Sequence, residues 1–261
     1  MATQVKGECA RLKLELQAPL ARISLQNPPL NVIDIAMMEE LAGSLAEIEM
    51  QPDISAVVLS GEGKAFSVGV DVAAHTVDKV EAMLGKFHAV IRALIGSRKI
   101  TIAAVHAHCL GGGAELAMVC DVVITTETAK WGFPEIKLGC YPPVACTALA
   151  ALVGQKHAAD LILTGRTISG KEAAAIGLVN RAVPESELQP AIHGYLQHFA
   201  KLSPAALAIA KKASYAWDSM HFDKGLARAE KIYFEELMKT EDAQEGIAAF
   251  LQKREPQWKG K

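Results

Sequence analysis

The sequence lacks an excess of charge of either sign, and it has few cysteines. Its 27 Lys and Arg residues nearly balance 29 Asp and Glu residues, which leaves a formal net charge of −2. No overall basic field is available for a nucleic acid or an anionic membrane, so we expect neither as a partner. The five cysteines are odd in number and form no Cys-x-x-Cys pair, which predicts buried free thiols in a reducing compartment.

Long hydrophobic runs and nucleotide-binding glycine motifs are also missing. Apolar runs such as Ile100–Val105 are much shorter than the roughly 20 residues that span a bilayer. The segment MATQVKGECARLKLEL has no apolar stretch behind a basic start and is not rich in Arg and Ser, so we expect a cytoplasmic protein. Gly61–Lys64 does not match GxxxxGK[ST], and neither glycine cluster supplies GxGxxG, which argues against nucleotide chemistry.

What the sequence has is ample apolar surface, at 51% hydrophobic residues, in patterns that alternate between strand and helix. The strands are predicted at residues 12–16, 21–25, 56–59, 102–105, 122–124 and 178–183. The helices are predicted at residues 37–50, 77–95, 114–120, 144–164, 185–202, 204–217, 222–239 and 242–254. Asp34 is the expected N-cap of the first helix. This order indicates an α/β core with parallel strands, followed by a helical C-terminal region.

Three consecutive glycines, Gly111–Gly113, enter a predicted helix and are the most informative feature of the sequence. Backbone N–H groups at the positive end of a helix dipole can hold an anionic oxygen. Glu115 lies three residues after Gly112, so its carboxylate shares a helix face with whatever that amide binds. The alternative is that the glycines only permit close packing and that Glu115 is a solvated first-turn residue.

Two further segments complete a candidate site. Gly61–Asp71 is a loop after a buried strand, in which Gly69 allows backbone amides to turn, and Val70 is a possible second N–H donor. In Trp131–Gly139, Glu135 directly follows a proline among apolar residues, where desolvation would raise its pKa into a catalytically useful range. The alternative for Glu135 is an ordinary carboxylate at the start of a helix.

These motifs resemble those of the enoyl-CoA hydratase/isomerase (crotonase) superfamily, in the same order and at similar spacing over nearly the whole chain. The matching segments are Asn27–Asn31, Phe66–Asp71, Gly111–Glu115 and Pro134–Glu135. The resemblance implies a spiral of stacked ββα units at residues 1–198 and a C-terminal helical trimerisation region at residues 199–261. It also implies a homotrimer or a dimer of trimers.

The same resemblance implies an acyl-CoA substrate, with CoA belonging to the substrate and no separate cofactor. The amides of Val70 and Gly112 would form the oxyanion hole. The remaining residues implied to contact substrate or CoA are Val68, Asp71, Gly111, Phe250 and Lys253.

Both glutamates are present, as in family members that hydrate rather than isomerise. Adding water to an unsaturated thioester places negative charge on its carbonyl oxygen, which two fixed N–H donors would stabilise. A carboxylate must orient the water, and a carboxylic acid must supply a proton. We assign the first role to Glu115 and the second to Glu135, and the reverse division or a coupled titration stays open.

The segment Leu138–Ala145 departs from the commonest family pattern, because Pro143 stands where a glycine is usual. Proline has no N–H, so a backbone donor would be lost and this wall of the pocket would be stiffer. In this feature, together with the segments Pro28–Asp34 and Gly69–Thr76, the chain resembles cyclohexa-1,5-diene-1-carbonyl-CoA hydratases of anaerobic aromatic degradation, which implies a cyclic substrate. A fatty enoyl-CoA hydratase or isomerase is the alternative, and a catalytically silent binding or scaffold protein is another. His106 and His108 have no third ligand at motif spacing, so we expect no metal site.

Overall fold

The computed structural model describes residues 4–5 and 11–261, and side chains of residues 11–215 and 221–261. The strands in this part of the chain are β1 Gln4–Val5, β2 Leu12–Gln17, β3 Leu20–Leu25, β4 Ala56–Gly61, β5 Ala65–Ser67, β6 Ile100–Val105, β7 His108–Leu110, β8 Val122–Thr126, β9 Lys130–Gly132, β10 Thr167–Ser169 and β11 Arg181–Val183. The α-helices are α1 Ile35–Glu49, α2 Val80–Gly96, α3 Gly112–Met118, α4 Pro143–Thr164, α5 Gly170–Ala175, α6 Leu188–Phe199, α7 Pro204–Glu235 and α8 Glu241–Leu251. Short 3₁₀ helices lie at Val72–His75, Pro134–Leu138, Glu185–Glu187 and Leu237–Lys239.

Two sheets share the strands of each repeating unit. The large sheet has the order β1-β2-β3-β4-β6-β8-β11, and it is parallel from β3 onward. The small sheet has the order β10-β9-β7-β5, in which β5, β7 and β9 are parallel. From β4 to β9, successive units each give one strand to the large sheet and the next to the small one, and a helical segment follows; β2 and β3 of the first unit both lie in the large sheet. The predicted spiral of ββα units is therefore confirmed.

The large sheet is covered on both faces, as expected of parallel strands. Along β4, Val57 and Leu59 belong to the main core together with α1 and α2. Ala56 and Val58 point to the other face, where they pack in a second cluster with α6. Alternation along one strand thus places neighbouring residues in two separate apolar layers.

Most of the predicted elements are found, including the N-cap at Asp34, whose side chain accepts a hydrogen bond from the Met37 amide. The predicted start of the second helix at Val77 was wrong, because α2 begins at Val80 and Val77 is 61% exposed. The two helices predicted at 204–217 and 222–239 are largely one helix, α7. No proline interrupts α7 after its first residue, so an imperfect apolar pattern alone did not end the helix.

The cysteines only partly match the prediction of buried thiols. Cys109, Cys120 and Cys140 are buried free thiols, whereas Cys146 is exposed. Cys146 lies in the first turns of α4, where one face of the helix is turned away from the core. Cys9 lies outside the described residues.

Candidate active site

The glycine turn between β7 and α3 is shaped by a close approach to Glu135. Gly111 has φ +53°, a backbone conformation that side chains rarely adopt. A Cβ atom placed on Gly111 would lie only 2.6 Å from Glu135 Oε1. The sequence needs glycine here because the backbone turns into α3 directly against that carboxyl group. Gly112 is the first residue of α3, so its amide N–H has no carbonyl acceptor one turn earlier in the helix.

Val70 lies beside this turn and presents its amide toward it. Ile33 donates to the Gly69 carbonyl and accepts from the Asp71 amide, so Val70 between them points its own N–H away from Ile33. A Cβ atom on Gly112 would lie 3.4 Å from the Val70 nitrogen. A Cβ atom on Gly69, which has φ +105°, would lie 3.2 Å from the Gly112 nitrogen. The two predicted oxyanion-hole segments are therefore in contact.

Glu115 projects from the first turn of α3 into the interior and is 3% exposed. Its Oε1 accepts a hydrogen bond of 2.9 Å from the Ala145 amide in the first turn of α4. Burial raises the pKa of Glu115 to about 7, against the opposing effect of the Ala145 and Val144 amides. Near neutral pH this side chain can therefore hold or release a proton.

Glu135 is the second residue of the 3₁₀ helix that begins at Pro134. Its Oε2 is buried and has no hydrogen-bond partner among the described residues. Burial, followed by the charge of Glu115, raises the pKa of Glu135 well above its ordinary value. Since Glu115 accepts backbone hydrogen bonds and Oε2 of Glu135 has none, the proton shared by the pair at neutral pH is best held by Glu135.

Both glutamates and both donor segments line one cavity of about 70 Å³. Its lining residues are Val68, Gly69, Val70, Val72, His75, Met83, Leu84, Phe87, Gly111, Gly112, Glu115, Pro134, Glu135, Leu138, Tyr141, Pro142, Pro143 and Tyr233. The cavity is thus formed by four segments distant in sequence, and by α7. Two buried carboxyl groups facing two backbone donors form an arrangement suited to proton transfer beside a developing oxyanion.

The structure brings together most, though not all, of the predicted site residues. Val68 and Gly111 join the glutamates and oxyanion-hole residues in the cavity lining. Asp71 instead caps the 3₁₀ helix Val72–His75, where its side chain accepts from the Ala73 amide. Phe250 is 53% exposed on α8, and Lys253 follows that helix as an exposed residue outside the cavity lining. Their proposed contact with CoA stays a prediction.

The doubled proline has a structural role in addition to the one predicted for it. Pro143 is the first residue of α4, a position at which a helix needs no N–H and proline fits well. Pro143 offers no N–H, and the amides of the next two residues, Val144 and Ala145, hydrogen-bond to Glu115. Pro142 and Pro143 therefore start the helix whose first amides hold this carboxylate.

Sequence reasoning missed Tyr233, which reaches the cavity from α7. Tyr233 is 1% exposed, and its ring lies 5.1 Å from that of Tyr141 in an edge-on arrangement. No motif near Tyr233 marks it, because its position depends on how α7 packs against the core. Tyr141 is already distinctive in the sequence as part of the unusual segment before the doubled proline.

Within residues 4–5 and 11–261, no three His, Cys, Asp or Glu side chains are grouped as metal ligands. Of the two histidines considered for such a site, His106 instead lies 3.0 Å from the Gly63 carbonyl through Nε2. In the same part of the chain no helix is both long and apolar enough to cross a membrane.

Comparison with known proteins gives the class of this chain. The model of the enoyl-CoA hydratase/isomerase family matches residues 15–261. The chain belongs to the enoyl-CoA hydratase/isomerase family. It is accordingly an enzyme of the hydro-lyase type, as its sequence predicted.

Individual members of the family are similar to this chain over most of its length. The chain is 36% identical over 248 residues to the cyclohexa-1,5-dienecarbonyl-CoA hydratase of Thauera aromatica, covering 95% of this chain and 96% of the relative. It is 38% identical over 239 residues to a probable enoyl-CoA hydratase of Mycobacterium bovis, covering 90% and 93%. The crystal structure of an enoyl-CoA hydratase/isomerase from Xanthobacter autotrophicus superposes with a TM-score of 0.85 at 30% identity, covering 93% of each chain.

Proposed function

We propose that the protein adds water to an unsaturated acyl-CoA thioester, with cyclohexa-1,5-diene-1-carbonyl-CoA as its preferred substrate. The observation that carries the hydratase assignment is the pair of buried glutamates with raised pKa values beside the Val70 and Gly112 amides. The similarity to the Thauera aromatica hydratase supports the cyclic substrate. This substrate would place the protein in the degradation of aromatic compounds.

In the proposed reaction the thioester oxygen accepts hydrogen bonds from the Val70 and Gly112 amides. These donors stabilise the negative charge that develops on that oxygen as water attacks, an effect worth a few kcal/mol per donor. Glu115, as the carboxylate, orients the attacking water and takes its proton. Glu135, as the acid, gives its proton to the ring carbon that gains hydrogen.

The atoms and protons of this reaction balance. One carbon–oxygen bond and one carbon–hydrogen bond form across the unsaturated system, which yields a hydroxycyclohexene-carbonyl-CoA. One proton enters Glu115 and one leaves Glu135, so the pair holds the same number of protons before and after the step, and a proton passes from Glu115 back to Glu135, directly or by exchange with water, before the next turnover. The reaction exchanges only water and protons, and we propose no cofactor beyond the CoA of the substrate.

The contacts proposed for CoA lie around this cavity. We assign the loop Val68–Asp71 to clasp the thioester, and Gly111 to lie against it. Phe250 and Lys253 are proposed to contact CoA bound by the same or a neighbouring subunit. We propose a homotrimer or a dimer of trimers as the assembly.

A linear fatty enoyl-CoA is the second candidate substrate. It is favoured by the 38% identity to the probable enoyl-CoA hydratase of Mycobacterium bovis, which is comparable to the identity with the cyclic-substrate relative. An isomerase would need only one of the two glutamates, so the requirement for both distinguishes these reactions.

The test follows the addition of one water to cyclohexa-1,5-diene-1-carbonyl-CoA and to crotonyl-CoA by chromatography and mass spectrometry of the product thioesters. In Glu115→Gln and in Glu135→Gln we expect kcat to fall by about 10²- to 10⁴-fold, because each variant removes a proton-transfer group. Binding of the substrate by calorimetry should be retained, since the Val70 and Gly112 amides are untouched. The matched control is Glu187→Gln, which changes an exposed glutamate far along the chain.

Wild-type turnover in both active-site variants would overturn the proposed mechanism. Loss of activity in only one variant would favour isomerisation over hydration. A higher kcat/KM for crotonyl-CoA than for the cyclic dienoyl-CoA would overturn the preferred substrate and leave the hydratase assignment in place.

A further inference from the structure

We infer that Tyr141 determines substrate specificity by closing the acyl end of the catalytic cavity, which limits the enzyme to compact acyl groups, either short chains or single rings. This inference rests on the proposed function, since it assumes that the acyl group occupies the cavity beside Glu115 and Glu135. Compact here means that the acyl group ends before it reaches the Tyr141 ring.

Tyr141 lies between two cavities of very different size and lines both of them. On one side is the catalytic cavity of about 70 Å³. On the other side is a groove of about 830 Å³ between α4 and α7, partly open to solvent, which we call the apolar chamber. Its aliphatic lining includes Ile136, Ala148, Leu152, Ile162 and Ile232.

The volumes decide what each side can hold. An apolar cavity of about 150 Å³ is large enough to take up benzene. The catalytic cavity is smaller than this, so a ring enters only if adaptable side chains such as Met83 give way. The apolar chamber, by contrast, is large enough for an extended hydrocarbon chain. A long acyl chain would fit the molecule only if it could pass Tyr141.

Tyr141 is held in place at both ends of its side chain. Its hydroxyl donates a hydrogen bond of 2.6 Å to the Ala229 carbonyl on α7. Its ring packs edge-on against Tyr233, with the ring centres 5.1 Å apart. Tyr233 is itself 1% exposed, and its hydroxyl hydrogen-bonds to the thiol of Cys140. Displacing Tyr141 would therefore break a hydrogen bond and an aromatic contact.

The test compares Tyr141→Ala with Tyr141→Phe. Alanine removes the partition and joins the two cavities, whereas phenylalanine keeps the ring and loses only the bond to Ala229. Activity is measured with crotonyl-CoA, cyclohexa-1,5-diene-1-carbonyl-CoA and trans-2-dodecenoyl-CoA. The readout is the ratio of kcat/KM for dodecenoyl-CoA to that for crotonyl-CoA.

We expect this ratio to rise about tenfold or more in Tyr141→Ala, because each methylene group placed in an apolar site improves discrimination by that order. In Tyr141→Phe the ratio should stay within about twofold of the wild type. Binding of unreactive dodecanoyl-CoA, measured by calorimetry, should tighten in Tyr141→Ala alone. If the alanine variant does not fold, Tyr141→Leu, which shortens the partition without emptying it, should show a smaller rise in the same ratio.

Two results would overturn the inference while leaving the proposed function intact. One is a wild-type enzyme that hydrates dodecenoyl-CoA as efficiently as crotonyl-CoA. The other is an unchanged ratio in a folded Tyr141→Ala or Tyr141→Leu variant. Failure of the wild type to hydrate any of the three thioesters would instead overturn the proposed function itself.

Discussion

At the scale of single residues, the two glutamates differ because their surroundings differ. Burial raises the pKa of both carboxyl groups, because a charged carboxylate is less stable away from water. Glu115 nevertheless accepts backbone hydrogen bonds from the start of α4, which favour its charged form. Glu135 has a buried oxygen without a partner and faces the charge of Glu115. These surroundings support the proposed roles of Glu115 as the base and Glu135 as the acid.

The buried charge of Glu115 should cost stability, and Glu115→Gln should remove that cost. Its pKa is about 7 in the folded protein against 4.5 ordinarily, so the folded state keeps a proton that the unfolded chain has lost. Stability therefore falls as pH rises from about 4.5 to 7, by about 3 kcal/mol in all. We expect Glu115→Gln to exceed the wild type by that order at pH 8 and to match it near pH 4.5.

Urea unfolding at the two pH values measures this difference. Glutamine preserves the shape of the side chain and can still accept from Ala145, so the comparison isolates the charge. Glu187→Gln changes an exposed side chain and keeps Glu115, so as the control it should match the wild type at each pH. Equal stability of the wild type and Glu115→Gln at pH 8 would contradict the prediction.

At the scale of elements, the large-sheet strands other than β1, and most helices, were predictable from apolar patterns. The short strands were not, because β5, β7, β9 and β10 each have three residues, too few to show a period. Their pairing is set by tertiary contacts. The boundaries of α2 and α7 were wrong for a related reason, since apolar spacing marks a buried face but does not mark where a helix begins or ends.

A partly buried hydrogen bond that sequence patterns do not reveal joins α7 to α2. His88 on α2 is fully buried, and its Nδ1 lies 2.6 Å from Glu230 on α7. Its Nε2 is also buried, without a hydrogen-bond partner among the described residues. Glu230 lies one helical turn before Tyr233, so this contact helps to place Tyr233 in the catalytic cavity.

Removing Glu230 should therefore weaken the docking of α7. In Glu230→Ala we expect a loss of about 1–3 kcal/mol in the free energy of unfolding, because the buried Nδ1 of His88 loses its partner. Glu230→Gln is the matched variant, since its amide oxygen can still accept from His88, and it should lose less. Urea unfolding at pH 7.5 measures both. Equal losses in the two variants would show that the hydrogen bond to His88 is not what holds α7.

At the scale of the whole molecule, the candidate site depends on segments that only the fold brings together. Val70, Gly112, Glu115 and Glu135 could be identified from the sequence because each lies in a short local motif. The resemblance to the family then indicated that these four residues form one site. Tyr233 also lines the cavity, although it lies more than 90 residues beyond Glu135 in the sequence. No local sequence pattern indicates that these two residues are close in space. The apolar chamber likewise exists only because α4 and α7 pack side by side.

The proposed assembly can be tested on the intact protein. Several large apolar side chains of the C-terminal helical region are exposed in the single chain, among them Ile209 at 69% and Phe250 at 53%. Apolar side chains concentrated in one region mark a surface that a partner would cover, and homo-oligomers are symmetric. We expect light scattering after size-exclusion chromatography to give three or six times the chain mass of 27.8 kDa.

The proposed assembly should be held mainly by apolar contacts, so its mass should not fall when the same measurement is made in 1 M NaCl, where exposed ion pairs are screened. Phe250→Glu and Ile209→Glu each place a charge on the exposed surface of a different helix, and the variant that lowers the mass identifies the helix at the interface. Lys201→Glu, a charge reversal at an exposed position before α7, is the control and should keep the wild-type mass. A wild-type mass of one chain at micromolar concentration would contradict the assembly and would confine any CoA contact of Phe250 and Lys253 to their own subunit.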